Sequence, residues 1–211
     1  AGVDEAEEIK RVVPVIKALI EKTTIPVSID TKKASVAQAA LEAGASMIND
    51  ISALSHDPLM IDVALKSGAG VILMHMRGTP MTMQHNTGYH DIIGEICEYL
   101  DERIEACLVK GLDPASILID PGIGFGKDVS GNLSLIKHIS EFRSLGVPVV
   151  LGHSRKSFIG TVLDAPVNER QEGTDAVSAW AMAQGIEVLR VHDVHRTRRM
   201  RDMLSSVRSA Q

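Results

Sequence analysis

The chain is short of cysteine, of long apolar runs and of net positive charge, and each shortage removes a class of protein. Its two cysteines, Cys97 and Cys107, fall on one expected helix. Ten residues at about 1.5 Å each put them roughly 15 Å apart, beyond the reach of a disulfide. Nothing asks for an oxidising compartment, and a cytoplasmic location is expected. No apolar run approaches the roughly 20 residues that cross a bilayer, so no membrane partner is expected. A net charge of -5 and a pI near 5.9 argue against nucleic acid as the main partner. The opening AGVDEAEEIKR has no apolar signal core and no initiator Met, and it enters a helical pattern at once. We therefore expect sequence upstream of it. No linker or low-complexity tract interrupts the chain. Its 211 residues, 45% of them hydrophobic, are enough for one domain, 1–211, with a core of its own.

What is present is an alternation. Val3, Ala6, Ile9, Val13, Ile16 and Ile20 recur at helical spacing, with Pro14 expected to kink or divide that helix. Six short apolar runs follow: IPVSID (25–30), SMIND (46–50), GVILMHM (70–76), SILIDP (116–121), VPVVLGHSR (147–155) and EVLRVHDV (187–194). Amphipathic stretches centred on 33–43, 57–67, 91–110, 132–144, 170–184 and 195–208 separate or follow them. Alternating strands and helices imply parallel pairing through right-handed crossovers. Consecutive apolar positions imply strands covered on both faces. Gly44, Gly68, Gly111, Gly146 and Gly185 close helices just before strands, as C-caps do. The pattern fits an open sheet or most of a (β/α)8 barrel, and spacing alone does not choose between them.

The polar residues gather where the strands end: Asp30, Asn49-Asp50, His75, Asp120, Ser154-Arg155-Lys156, and Arg190 with His192-Asp193. Parallel α/β folds build their sites on this face. Taken singly, Asp50, Ser52 or Ser154 reads as well as an N-cap. Taken together they form an inventory. Asp30, Asn49 and Asp120 supply acceptors, Lys156 and Arg190 supply positive donors, and a protonated His192 can donate. Met74 and Phe125 would wall the site. Such a set suits a flat heterocycle with donor and acceptor edges, joined to an anionic group. Arg can stack its guanidinium on the ring.

SIDT (28–31), MIND (47–50), VILMHMRGTPMTMQ (71–84), LIDPGIGFGKD (118–128), GHSRKSFIG (152–160) and RVHDV (190–194), in this order, resemble the dihydropteroate synthase family. The resemblance implies a (β/α)8 TIM barrel and a transferase of folate biosynthesis. That enzyme condenses 6-hydroxymethyl-7,8-dihydropterin diphosphate with p-aminobenzoate, releases diphosphate, uses Mg2+ and works as a homodimer. Carried over by position, Asp30, Asn49, Met74, Asp120, Phe125, Gly152 and Lys156 would line the pterin pocket. Lys156, Arg190 and His192 would carry the catalytic work. Arg190 would stack on the pterin and hold the diphosphate together with His192, and Ser157 would lie near p-aminobenzoate. The family's first strand and two of its lid loops, one with a metal-contacting Asn, have no counterpart here. AG at 1–2 would be the tail of the second loop. The expectation is a barrel without its first two strands and first helix, with no metal ligand of its own, that binds a pterin weakly and turns over poorly.

Three other readings stand beside it. A pterin-binding methyltransferase domain shares the barrel and the Asp/Asn pocket, but SRKSFIG speaks for the synthase. A metal-dependent hydrolase would need His75, His153, His192 and Asp120 as ligands, without a His-x-His or HExxH signal. An inactive pterin-binding fragment is the third. His75 and His153 read as satisfied core histidines, and Arg196, Arg198, Arg199 and Arg201 as a solvated helix face. Residues 77–90 make a loop longer than most, which favours a functional segment.

Overall fold

A computed structural model describes residues 3–210, so the expected loop tail at 1–2 lies outside the described residues. The described residues form two compact units. One takes in the chain up to His75 together with Tyr99–Ile119, and the other holds Met76–Glu98 and everything from Asp120 on.

The first unit opens with α1 (Glu5–Ile20). Asp4 caps it by accepting from the Glu7 N–H at 2.9 Å, and Glu5, Glu7 and Glu8 sit at its positive end. The helix runs through Pro14 without dividing. Proline removes one intrahelical donor. Here the packing of α1 on α2 (Ala34–Glu42) and the ion pair of Glu8 with Lys33 at 2.6 Å hold the segment together. Strands β1 (Ser28–Asp30), β2 (Met47–Asp50), β3 (Gly70–Met74) and β4 (Ile117–Asp120) lie in that order in one sheet. β1, β2 and β3 pair in parallel, with Asp30 opposite Asn49 and Asn49 opposite Ile72. Ile48, Val71, Leu73, Ile117 and Ile119 are fully buried on consecutive strands. α2, α3 (Met60–Ser67) and the later turns of α4 (Ile92–Val109) add Val36, Met60, Leu100 and Cys107 to this core.

The second unit carries α5 (Val129–Lys137), α6 (Ser157–Leu163), α7 (Gln171–Ala183) and α8 (Val194–Ser209) around β5 (Val150–Leu151) and β6 (Val188–Leu189). β5 and β6 pair in parallel, and the Arg190 N–H extends the ladder to the Leu151 carbonyl. The helix expected at 132–144 divides at His138: α5 ends at Lys137, and a 3-10 helix, Ile139–Leu145, continues. α6 was not foreseen, since seven residues with a central glycine give little periodicity. A Cβ on Gly160 would fall 2.4 Å from the Arg170 guanidinium, so any larger residue there would displace that side chain. All five foreseen C-cap glycines have positive φ. The N-cap reading of Asp50, Ser52 and Ser154 is overturned. No helix starts beside Asp50 or Ser52, and the cap of α6 is Lys156, with no side-chain bond. Asp4, Asp128 and Asp193 cap α1, α5 and α8, and Asp91 accepts from the Gly94 N–H in the first turn of α4.

Candidate active site

In the first unit, β1 and β2 end side by side. The register brings Asp30 and Asn49 together, and the Asn49 amide donates to Asp30 Oδ2 at 3.0 Å. Asn49 is buried, while Asp30 is exposed. Met74 is buried at the end of β3. The next residue, His75, is buried against the Tyr99 ring, edge-on at 5.0 Å, as a core histidine. Asp50 is fully buried, and its Oδ1 accepts from the Ser52 N–H at 2.7 Å and hydroxyl at 2.6 Å. Burial pushes its carboxyl up. It supports a turn in which Ala53 and Leu54 adopt φ of 51° and 59°, a conformation that is costly away from glycine.

In the second unit the glycine-rich stretch becomes a tight turn. Gly122, Gly124 and Gly126 adopt φ of 72°, 84° and 68°, where a Cβ is unfavourable. Asp120 stands at the head of this turn, buried, with Oδ1 accepting from the Gly122 N–H at 2.7 Å. Burial pushes its carboxyl up, against the pull of Lys156, the Gly122 N–H, Arg190 and Lys127. Lys156 reaches back from the start of α6. Its ammonium donates to the Ile123 carbonyl and sits 4.5 Å from the centre of the Phe125 ring. Burial lowers its pKa to about 8, with Asp120 opposing the shift. Arg190 follows β6. A Cβ on Gly152 would lie 3.4 Å from Arg190 Nε and 3.5 Å from Asp120 Oδ2, so the guanidinium and the carboxylate flank one bare backbone site. His192 is exposed, with Nδ1 2.8 Å from the Ser154 hydroxyl. Ser157 is exposed as the first residue of α6.

This cluster can offer a carboxylate to paired N–H donors and cations to anionic oxygens. His153 is fully buried, with Nε2 2.8 Å from the Ser178 hydroxyl, a structural histidine as expected. Asp193 caps α8 by accepting from the Arg196 N–H at 2.9 Å. Among the described residues no three His, Cys, Asp or Glu side chains gather as a metal site. The hydrolase reading therefore finds no ligand set among the described residues. Two contributors escaped the sequence reading. Lys127 is 2% exposed and points its ammonium into the glycine turn. Asn132, also buried, accepts from the Gly124 N–H at 2.6 Å. The available signal was a lysine directly behind three closely spaced glycines.

The chain belongs to the pterin binding enzyme family, whose model matches residues 1–192. Within that family its relatives are dihydropteroate synthases. It is 46% identical over 189 residues to that of a Synechocystis species, covering 89% of this chain and 65% of the relative. It is 41% identical over 205 residues to that of Bacillus subtilis, covering 97% of this chain and 70% of the relative. The chain thus spans about two thirds of the length of these relatives. Among solved structures, a Yersinia pestis dihydropteroate synthase in a sulfonamide drug complex superposes with a TM-score of 0.96 at 39% identity, over all of this chain and 77% of that one. The Xanthomonas albilineans enzyme in complex with 7,8-dihydropteroate gives 0.92 at 38% identity, over 99% of this chain and 77% of that one. The fold class is the α/β barrel type expected from the resemblance.

Proposed function

We propose that this chain carries the substrate pocket of a dihydropteroate synthase, which joins a dihydropterin diphosphate to p-aminobenzoate and releases diphosphate. The observation that carries the reading is Asp120, a buried carboxylate with Lys156, Arg190 and Lys127 as its cations and the bare Gly152 backbone beside it. An ionised Asp120 accepts two parallel N–H bonds from an amino-pyrimidinone edge. Lys156 donates to the ring's carbonyl side. Phe125 provides apolar surface, and Arg190 stacks on the ring. Arg190 and His192 meet the diphosphate oxygens, and Ser157 lies toward p-aminobenzoate.

The reaction breaks the bond from the pterin methylene carbon to the diphosphate oxygen, and the electron pair leaves with diphosphate. Cations at those oxygens stabilise the developing negative charge. The ionised Asp120 carboxylate favours positive charge spread into the ring. The arylamine nitrogen then bonds to the carbon and gives up a proton. Mg2+ belongs to this proposal as a partner of the diphosphate. We further propose a cytoplasmic homodimer. The exposed Trp180, Met203 and Val207 of α7 and α8 supply apolar surface for a second copy. No helix among the described residues is long and apolar enough to cross a membrane.

Calorimetry with a pterin diphosphate analogue tests the reading. Asp120→Ala removes charged hydrogen bonds worth roughly 1.5–3 kcal/mol each, so affinity should fall at least tenfold. Equal affinity for both proteins would remove Asp120 from the pocket.

A further inference from the structure

The turn after Asp120 poses an accounting problem. Buried carbonyls need donors, and within this turn the backbone supplies one bond, from the Phe125 N–H to the Gly122 carbonyl at 3.0 Å. Side chains supply the rest. Lys127 donates to the carbonyls of Gly122 and Phe125, both at 2.9 Å. Lys156 donates to that of Ile123, Gln84 to that of Gly124 at 3.1 Å, and Tyr89 to that of Gly126 at 3.1 Å. Five consecutive carbonyls, 122 to 126, each accept from a side chain.

These donors differ in kind. Gln84 and Tyr89 come from the long loop 77–90, and Lys156 is a substrate-binding candidate with its ammonium over Phe125. Lys127 is 2% exposed, and Asn132, itself buried, receives the Gly124 N–H and donates to the Lys127 and Asp128 carbonyls. The two Lys127 bonds to the Gly122 and Phe125 carbonyls involve neither the loop nor a ligand. We propose that Lys127 is a positioning residue: its buried amine draws the Gly122 and Phe125 carbonyls inward and so fixes the glycine turn, Phe125 and the N–H that orients Asp120. The inference rests on the pterin-pocket reading for its functional consequence, not for its structural one. Asp120, Lys156 and Arg77 are the charged groups that act on Lys127, and burial lowers its pKa to about 7. At pH 8 the side chain is mostly neutral yet still donates both bonds, so replacing it there changes the bonding more than the charge.

The test is Lys127→Met at pH 8, with three readouts. Amide exchange of the segment 121–128 should accelerate about tenfold or more, since each lost bond weakens closure by up to about that factor. Affinity for the pterin diphosphate analogue should fall about tenfold, while affinity for inorganic diphosphate alone stays within about twofold, because Arg190 and His192 are untouched. Unchanged exchange in the turn overturns the proposal, and so does equal loss of both ligands, which marks a general collapse. If the wild type binds no pterin, the pocket reading fails and exchange alone decides the positioning role. Lys127→Gln retains an amide donor on a shorter side chain. It serves if the methionine variant does not fold, with accelerated exchange again expected and wild-type exchange again overturning.

Discussion

Gly152→Ala adds one methyl group at the bare backbone beside Asp120. Gly152 does not have a positive φ, so an alanine fits its conformation. The new Cβ would sit 3.4 Å from Arg190 Nε, 3.5 Å from Asp120 Oδ2 and 3.8 Å from Arg190 Nη2, all ordinary van der Waals contacts. The fold should therefore accept the change within about 1 kcal/mol, and reduced freedom of the unfolded chain favours the variant slightly. A ring held by Asp120 and stacked by Arg190 would meet that methyl group. Shifting the ring enough to spoil one bond to the charged carboxylate costs roughly 1.5–3 kcal/mol. That is a loss of about 10- to 150-fold in affinity. Calorimetry with the pterin diphosphate analogue reads the affinity, and thermal unfolding reads the fold. Wild-type affinity with an unchanged Tm would show that no ligand lies on this face of Gly152. A large fall in Tm would show that the space is filled by protein packing, and either result defeats the reasoning.

Gly126→Ala should behave oppositely. At φ 68°, with the Arg77 Cβ and carbonyl 3.0 and 3.1 Å from the new Cβ, the variant should lose roughly 1–3 kcal/mol in urea unfolding, and an unchanged midpoint would refute the close approach. The buried lysines set a pH dependence. Lys127 titrates near 7 in the folded protein against 10.5 ordinarily, so above pH 7 the unfolded chain binds more protons and stability rises with pH. From pH 7 to 9 the wild type should gain on Lys127→Met by up to about 1.4 kcal/mol per pH unit, and parallel Tm curves would refute the assignment. Diphosphate arriving near Lys156 should raise its proton affinity, because burial has lowered its pKa to about 8. Binding at pH 8 should then take up protons, seen as an enthalpy that varies with buffer ionisation heat, and proton release would contradict the cationic role.

Much of this architecture was legible where local chemistry decides it. The five C-cap glycines announced their left-handed conformation, because few other residues adopt it. β3 was legible as an unbroken apolar run, because both its faces are covered. Asp30 and Asn49 were legible only as polar strand ends; the register that sets them opposite each other was not. β5 and β6 were overestimated, since Val147 and Val149 are buried apolar residues outside the two-residue ladder. Proline 14 misled because a helix-breaking tendency of one residue yields to tertiary packing. Lys127 escaped for a deeper reason. Its partners are backbone carbonyls, which every residue carries, so nothing in the side-chain pattern points to them.

That choice of partner bears on how the cluster can work. A carboxylate as buried as Asp120 tends to keep its proton, and a protonated Asp120 cannot accept two N–H bonds. Nearby cations restore the charge, but cations paired tightly to carboxylates would be neutralised and of little use to an anionic ligand. Lys156 instead rests on the Ile123 carbonyl of the glycine turn. Carbonyl dipoles satisfy the ammonium protons without cancelling the charge. Against one carboxylate this leaves cationic potential in reserve, which an arriving diphosphate can use. The three glycines make the arrangement possible, because only a turn with repeated positive φ aims several successive carbonyls at side-chain amines packed around it.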